Sequence, residues 1–83
     1  MPTTATESLA ELRPGERAVI VAVNDAIDRD DRRRLLELGL FPGTPIEAVL
    51  DSPLGDPTAY RVRDMTVALR HSQARHIEVR RDS

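Results

Sequence analysis

Between Leu36 and Leu50 the chain reads LELGLFPGTPIEAVL. Those fifteen residues hold the end of a helix, a tight turn and a strand. Leu35 and Leu38 lie three apart with Leu36 alongside, which predicts one apolar face on a helix running from Asp28 to Leu38. Gly39 stands where a helix needs a left-handed residue to stop. Phe41-Pro42-Gly43-Thr44 puts proline and glycine at the second and third positions of a type II turn. Pro45 to Leu50 then alternates as a strand, with Ile46, Ala48 and Leu50 expected on one face. A helix this short does not persist alone, so its leucines must pack on the sheet that follows.

Upstream, Asp28 or Asp30 can cap the helix, and Asp31 adds negative charge where the helix dipole favours it. Arg32, Arg33 and Arg34 are expected in solvent. Arg17 to Ala26 reads as a strand with two apolar faces, Val19, Val21 and Val23 on one and Ala18, Ile20 and Ala22 on the other. Such a strand is central or strongly curved. Arg13-Pro14-Gly15-Glu16 repeats the type II pattern and launches it. Ser8 to Leu12 suits one helical turn capped by Ser8. Residues 1–7 are expected to be a flexible N-terminus and 8–81 the folded domain.

Downstream, Ser52-Pro53-Leu54-Gly55 suits a type I turn, and Asp56-Pro57 extends the loop. Ala59 to Arg63 alternates with Tyr60 and Val62 inward and Arg61 and Arg63 outward. Met65, Val67 and Leu69 repeat the pattern after a tight turn at Arg63-Asp64. His71 to Arg75 is a turn or a short helix, and Ile77 and Val79 mark a final strand. The sum is a mainly β fold of about five short strands. A sheet this small protects its edges by curling, which predicts a five-stranded SH3-like barrel with one short helix inserted after the first strand. Phe41 is expected to plug one end of the barrel. Tyr60 is expected as a packed ring with its hydroxyl at the surface.

Composition narrows the function. The chain has 83 residues and a net charge of −2, with 31% charged residues. A nucleic-acid binder needs a basic surplus that this chain lacks. All basic residues are Arg, and Cys is absent, which removes disulfides, zinc ribbons and thiol nucleophiles together. No signal-peptide pattern opens the chain. The longest apolar run, Ala18 to Val23, is far short of the ~20 residues that span a bilayer. These features predict a cytoplasmic protein. No nucleophile, base and acid fall at a readable spacing, so no enzyme activity, catalytic residue or cofactor is expected.

The remaining candidates are surface features. His71 and His76 lie five apart across a turn, which does not bring them to one helix face, so no metal site is assigned to them. Arg32 and Arg33, surrounded by Asp28, Asp30, Asp31 and Glu37, read first as a solvated, ion-paired face and second as a contact for an acidic partner. Leu54, on a turn bracketed by Pro53 and Pro57, can anchor a protein partner. With two aromatics in the chain, an aromatic groove for proline-rich peptides cannot be built.

The run from Leu9 to Arg80, with the ordered combination LRPGERAVIVAV, RRLLELGLFPGTPIEAV, SPLGDPTAYRVRDMTVALR and ARHIEV, resembles the FeoA family. The resemblance implies an SH3-like barrel and an accessory role in bacterial ferrous-iron uptake. It implies a cytosolic partner, the FeoB membrane transporter with its own GTP-binding domain. Similar domains occur at the C-terminus of iron-dependent repressors. No winged-helix segment precedes the domain here, so the stand-alone protein is the better match. The chain departs from the family pattern at Arg63-Asp64, where the family commonly has Gly. The alternative is a regulatory module that binds a divalent transition metal itself.

Overall fold

The computed structural model describes residues 6–53 and 55–81. Among them six antiparallel strands and two helices form in the order β1 (Glu7–Ser8), β2 (Arg17–Val23), α1 (Arg29–Glu37), β3 (Pro45–Asp51), β4 (Thr58–Val62), β5 (Met65–Leu69), α2 (His71–Ala74) and β6 (Ile77–Arg81). A single 3-10 turn, Leu9–Glu11, follows β1. The strands lie in the order β1-β6-β2-β3-β4-β5. The fold is the expected small SH3-like one, with a sixth, two-residue strand added by β1 pairing to β6. Among the described residues the sheet does not close into a barrel, because β1 and β5 end it on opposite sides without pairing.

The two Pro-Gly turns do more than reverse the chain. Gly15 and Gly43 take φ of +92° and +93°, and Glu16 N and Thr44 N donate back to Arg13 O and Phe41 O, as type II turns require. Each turn also bonds across to the opposite strand. Gly15 N donates to Ala48 O at 2.7 Å, and Gly43 N donates to Ile20 O at 2.7 Å. The pairing of β2 with β3, regular only from Arg17 to Val19, is thereby extended at both ends.

α1 begins where Asp28 accepts the amide of Asp30 at 3.1 Å and is capped at its C-terminus by Leu38. Asp31 on α1 accepts from the Gln73 side chain at 3.1 Å, tying α1 to α2. β2 stops at Val23 rather than Ala26, because Asn24 accepts the amide of Ala26 with its own side chain and turns the chain.

The core is one cluster in which Leu9, Ile20, Leu35, Leu40, Ile46, Tyr60, Val62, Leu69, Ile77 and Val79 are the largest fully buried side chains. Several expectations need correction. Phe41 does not plug the sheet; it is 44% exposed, and Leu40 is buried instead. Gly39, at φ +89°, resets the side-chain phase and drives Leu40 inward. Leu50 is 65% exposed, because a register shift between Ala48 and Leu50 turns it away from the face of Ile46 and Ala48. A second shift, between Ile20 and Ala22, brings Val23 rather than Ala22 against the core, while Val21 stays outward. Leu35 is fully buried, while Leu38 is half-buried against the cluster. Tyr60 is buried to its hydroxyl, which donates to Leu9 O at 3.5 Å.

Candidate partner-binding groove

Strand alternation sends Arg17, Glu47 and Arg61 to the face of the sheet opposite the core. The register decides what they form there. Arg17 pairs with Glu47, and Glu47 pairs with Arg61, so three strands place them in one row. Arg63 follows in the β4–β5 turn, two residues beyond Arg61. Together with Ala18, Pro45 and Ile46 these side chains line a shallow groove of about 270 Å³. Pro45 is its exposed apolar residue, while Ala18 and Ile46 are buried beneath it.

None of the three arginines is in an ion pair among the described residues. Three guanidiniums against one carboxylate leave the groove positive in a chain whose net charge is −2. Arginine in such a row presents planar, charge-assisted donors suited to carboxylate or phosphate. Arg63 sits at φ +59°, a conformation that costs a non-glycine residue on the order of 1 kcal/mol. Arg63, not Asp64, takes the left-handed position in this turn.

A different ion-pair cluster ties together neighbouring segments on one side of the sheet. Arg81 on β6 donates to Glu7 through Nε at 2.7 Å and Nη2 at 3.1 Å, and to Glu16 through Nη1 at 2.8 Å. Those hydrogen bonds hold the guanidinium charged well beyond its ordinary range. The Glu16 carboxyl is held below the usual carboxylate value, first by the backbone amide of Arg13, 2.7 Å away, and then by Arg81.

Arg32 and Arg33 are exposed on α1, and Arg32 pairs with Asp25 at 2.9 Å. Leu54 lies outside the described residues. The amide of His71 donates to Asp56 at 2.8 Å, and His76 is half-buried beyond α2. Among the described residues no group of three His, Cys, Asp or Glu side chains is placed to hold a metal ion, and no helix is long and apolar enough to cross a membrane. Sequence reading put Arg61 and Arg63 outward but missed Arg17 and Glu47 as their neighbours. Alternation along each strand carried half of that signal; the register between strands, which is non-local, carried the rest.

The family model for the FeoA domain matches residues 7–81. The chain belongs to the FeoA family. This FeoA domain is 44% identical over 71 residues to an Fe(2+) transport protein A/Fe(2+) transporter FeoB fusion protein of Porphyromonas gingivalis, a match that covers 86% of the chain and 8% of that relative. The chain therefore spans a small part of the curated relative it matches. Among solved structures it superposes on the FeoA protein of Chlorobium tepidum with a TM-score of 0.84 at 34% identity, covering 92% of this chain and 70% of that one. It superposes on the zinc-complexed FeoA of Stenotrophomonas maltophilia, described as a prokaryotic SH3 domain protein, with a TM-score of 0.76 at 35% identity and 87% coverage of each.

Proposed function

We propose that this FeoA domain serves ferrous-iron uptake as a cytoplasmic accessory module, working by contact with a FeoB-type transporter rather than by catalysis. One observation carries the reading: in the Porphyromonas gingivalis relative a FeoA sequence and an iron transporter share one polypeptide. Covalent linkage keeps two domains at high effective concentration. Where they are separate chains, a binding surface must do the same work. The groove of Arg17, Arg61 and Arg63 offers such a surface to an acidic segment of the transporter's cytosolic part, with Glu47 setting the register of its charges. Leu54, Arg32 and Arg33 are the contacts proposed from the sequence for the same partner.

Binding of the purified chain to a FeoB cytosolic domain tests this. Arg61→Glu with Arg63→Glu is expected to weaken binding at least about tenfold, or about 1.4 kcal/mol, and more at low salt. Leu54→Asp and Arg32→Glu/Arg33→Glu distinguish the other two contacts. Absence of any binding by the unmodified chain would remove the partner reading itself.

A second reading, direct binding of a divalent metal, draws on the zinc complex of the Stenotrophomonas relative. Calorimetric titration with ferrous and zinc ions, with His71→Ala/His76→Ala as control, separates it. Tight binding abolished in that variant would favour the metal module.

A further inference from the structure

β5 is an edge strand of five residues, Met-Thr-Val-Ala-Leu, with no charge in it. Natural edge strands usually carry a lysine, a proline or a bulge that prevents pairing with another chain. β5 carries none of these, and its register with β4 runs unbroken from Met65 to Leu69. The hairpin fixes which of its backbone groups are free. Val62 and Met65 close the two-residue loop, and the closing pair of such a loop is the hydrogen-bonded one. Alternation then turns the N–H and C=O of Met65, Val67 and Leu69 toward β4 and those of Thr66 and Ala68 outward. No described hydrogen bond uses those outward groups.

The flanks of the strand are complementary about its centre. Asp64 lies three residues before Val67 and Arg70 three residues after it. Both are exposed, and neither is in an ion pair among the described residues. In an antiparallel pair of two β5 strands with a two-fold axis at Val67, Thr66 of each copy faces Ala68 of the other. Asp64 in the turn before the strand and Arg70 just after it are then brought to the same two ends of the pair, Asp64 of each copy beside Arg70 of the other. The parity also agrees: the Thr66–Ala68 pairs are those whose backbone groups point outward, so they form the hydrogen-bonded rungs, and the two Val67 residues meet in the closer, non-bonded rung. Met65, 46% exposed at one end of the strand, comes opposite Leu69 of the second copy.

We infer that β5 is a self-association edge, at which a second copy of this chain pairs antiparallel about Val67 and is held in register by reciprocal Asp64–Arg70 ion pairs. The contact adds few buried side chains, because Val67 and Leu69 are already covered within each copy. The dimer is therefore weak and concentration-dependent. It leaves the face bearing Arg17, Glu47 and Arg61 open on both copies, and it stands whether or not the transporter is the partner.

Sedimentation velocity of the unmodified chain over a wide concentration range, at low salt, tests this. The expected result is a reversible monomer–dimer equilibrium. Asp64→Arg and Arg70→Asp are each expected to raise the dissociation constant about three- to tenfold, since each reversal replaces two attractive contacts by two repulsive ones. The two together are expected to restore it. Thr66→Pro removes an outward amide while leaving the bonds to β4, as proline on an edge strand allows. It is expected to give a folded monomer, with folding checked by circular dichroism. A single monomeric species at every concentration overturns the inference. So does a dimer unmoved by both single reversals.

Discussion

The amide of Leu40 donates to the carbonyl of Leu35 across 3.0 Å, and both side chains are completely buried. With Gly39 N donating to Leu36 O, also at 3.0 Å, this is the double hydrogen bond of a Schellman cap, together with its hydrophobic contact between the residues on either side. One backbone device thus ends α1, reverses the chain and seats a leucine in the core.

Leu40→Ala is accordingly expected to cost about 2–5 kcal/mol, a large share of the marginal stability of a domain this small. Phe41→Ala, one residue further and half in solvent, is expected to cost less than about 1 kcal/mol. Urea denaturation of both variants checks the contrast, and a Phe41 variant as unstable as the Leu40 one would contradict the assignment.

At Gly39 a Cβ would meet no atom within 4 Å, yet φ is +89°. The penalty for a side chain there is conformational, not steric. Gly39→Ala is expected to lower stability by about 1 kcal/mol, and Gly39→Asn by less, because asparagine tolerates the left-handed region. Equal losses, read by thermal melting, would point to a packing clash instead.

Arg63 offers the converse. Replacing it by glycine relieves the left-handed strain at φ +59° but loosens the unfolded chain. The net expectation is a gain of about 0.5–1 kcal/mol. The same variant removes one guanidinium from the groove, so higher melting with weaker partner binding is the expected combination. Loss of stability would mean that the Arg63 side chain holds the hairpin.

The depressed Glu16 carboxyl makes stability depend on acid pH. A carboxyl whose folded pKa lies below its unfolded value contributes stability that is present above the unfolded pKa, about 4.3. That contribution disappears as pH falls through the lower, folded value. Glu16→Gln is expected to flatten the loss of stability below about pH 4.3 while leaving the slope above pH 6 unchanged. Denaturant midpoints measured along the pH series provide the check, and parallel curves for both proteins would rule the linkage out.

Local patterns legible in the sequence were those with an unbroken period. Tyr60 and Val62 inward, Arg61 outward, Ile77 and Val79 inward, and the Asp28 cap all follow from alternation or helical spacing. The failures lie where one residue shifts the phase. Val23 and Leu50 follow register irregularities that no propensity announces, and Leu40 rather than Phe41 enters the core because Gly39 inverts the backbone for one residue. The groove was half legible for a related reason: the outward directions of Arg61 and Arg63 are local, but the row they form with Arg17 and Glu47 depends on pairing Arg17 with Glu47 and Glu47 with Arg61, which are distant in sequence.

The clasp of Arg81 on Glu7 and Glu16 has a consequence for how this unit can be joined to others. Glu7 lies opposite Val79 in the sheet, so the chain enters and leaves the domain through neighbouring points on one side. A host polypeptide can carry such a unit as a cassette in a surface loop without stretching either connection. The same geometry permits the two ends to be bridged and the chain reopened at the Arg63-Asp64 turn, a circular rearrangement that keeps every strand pair except the continuity of one hairpin.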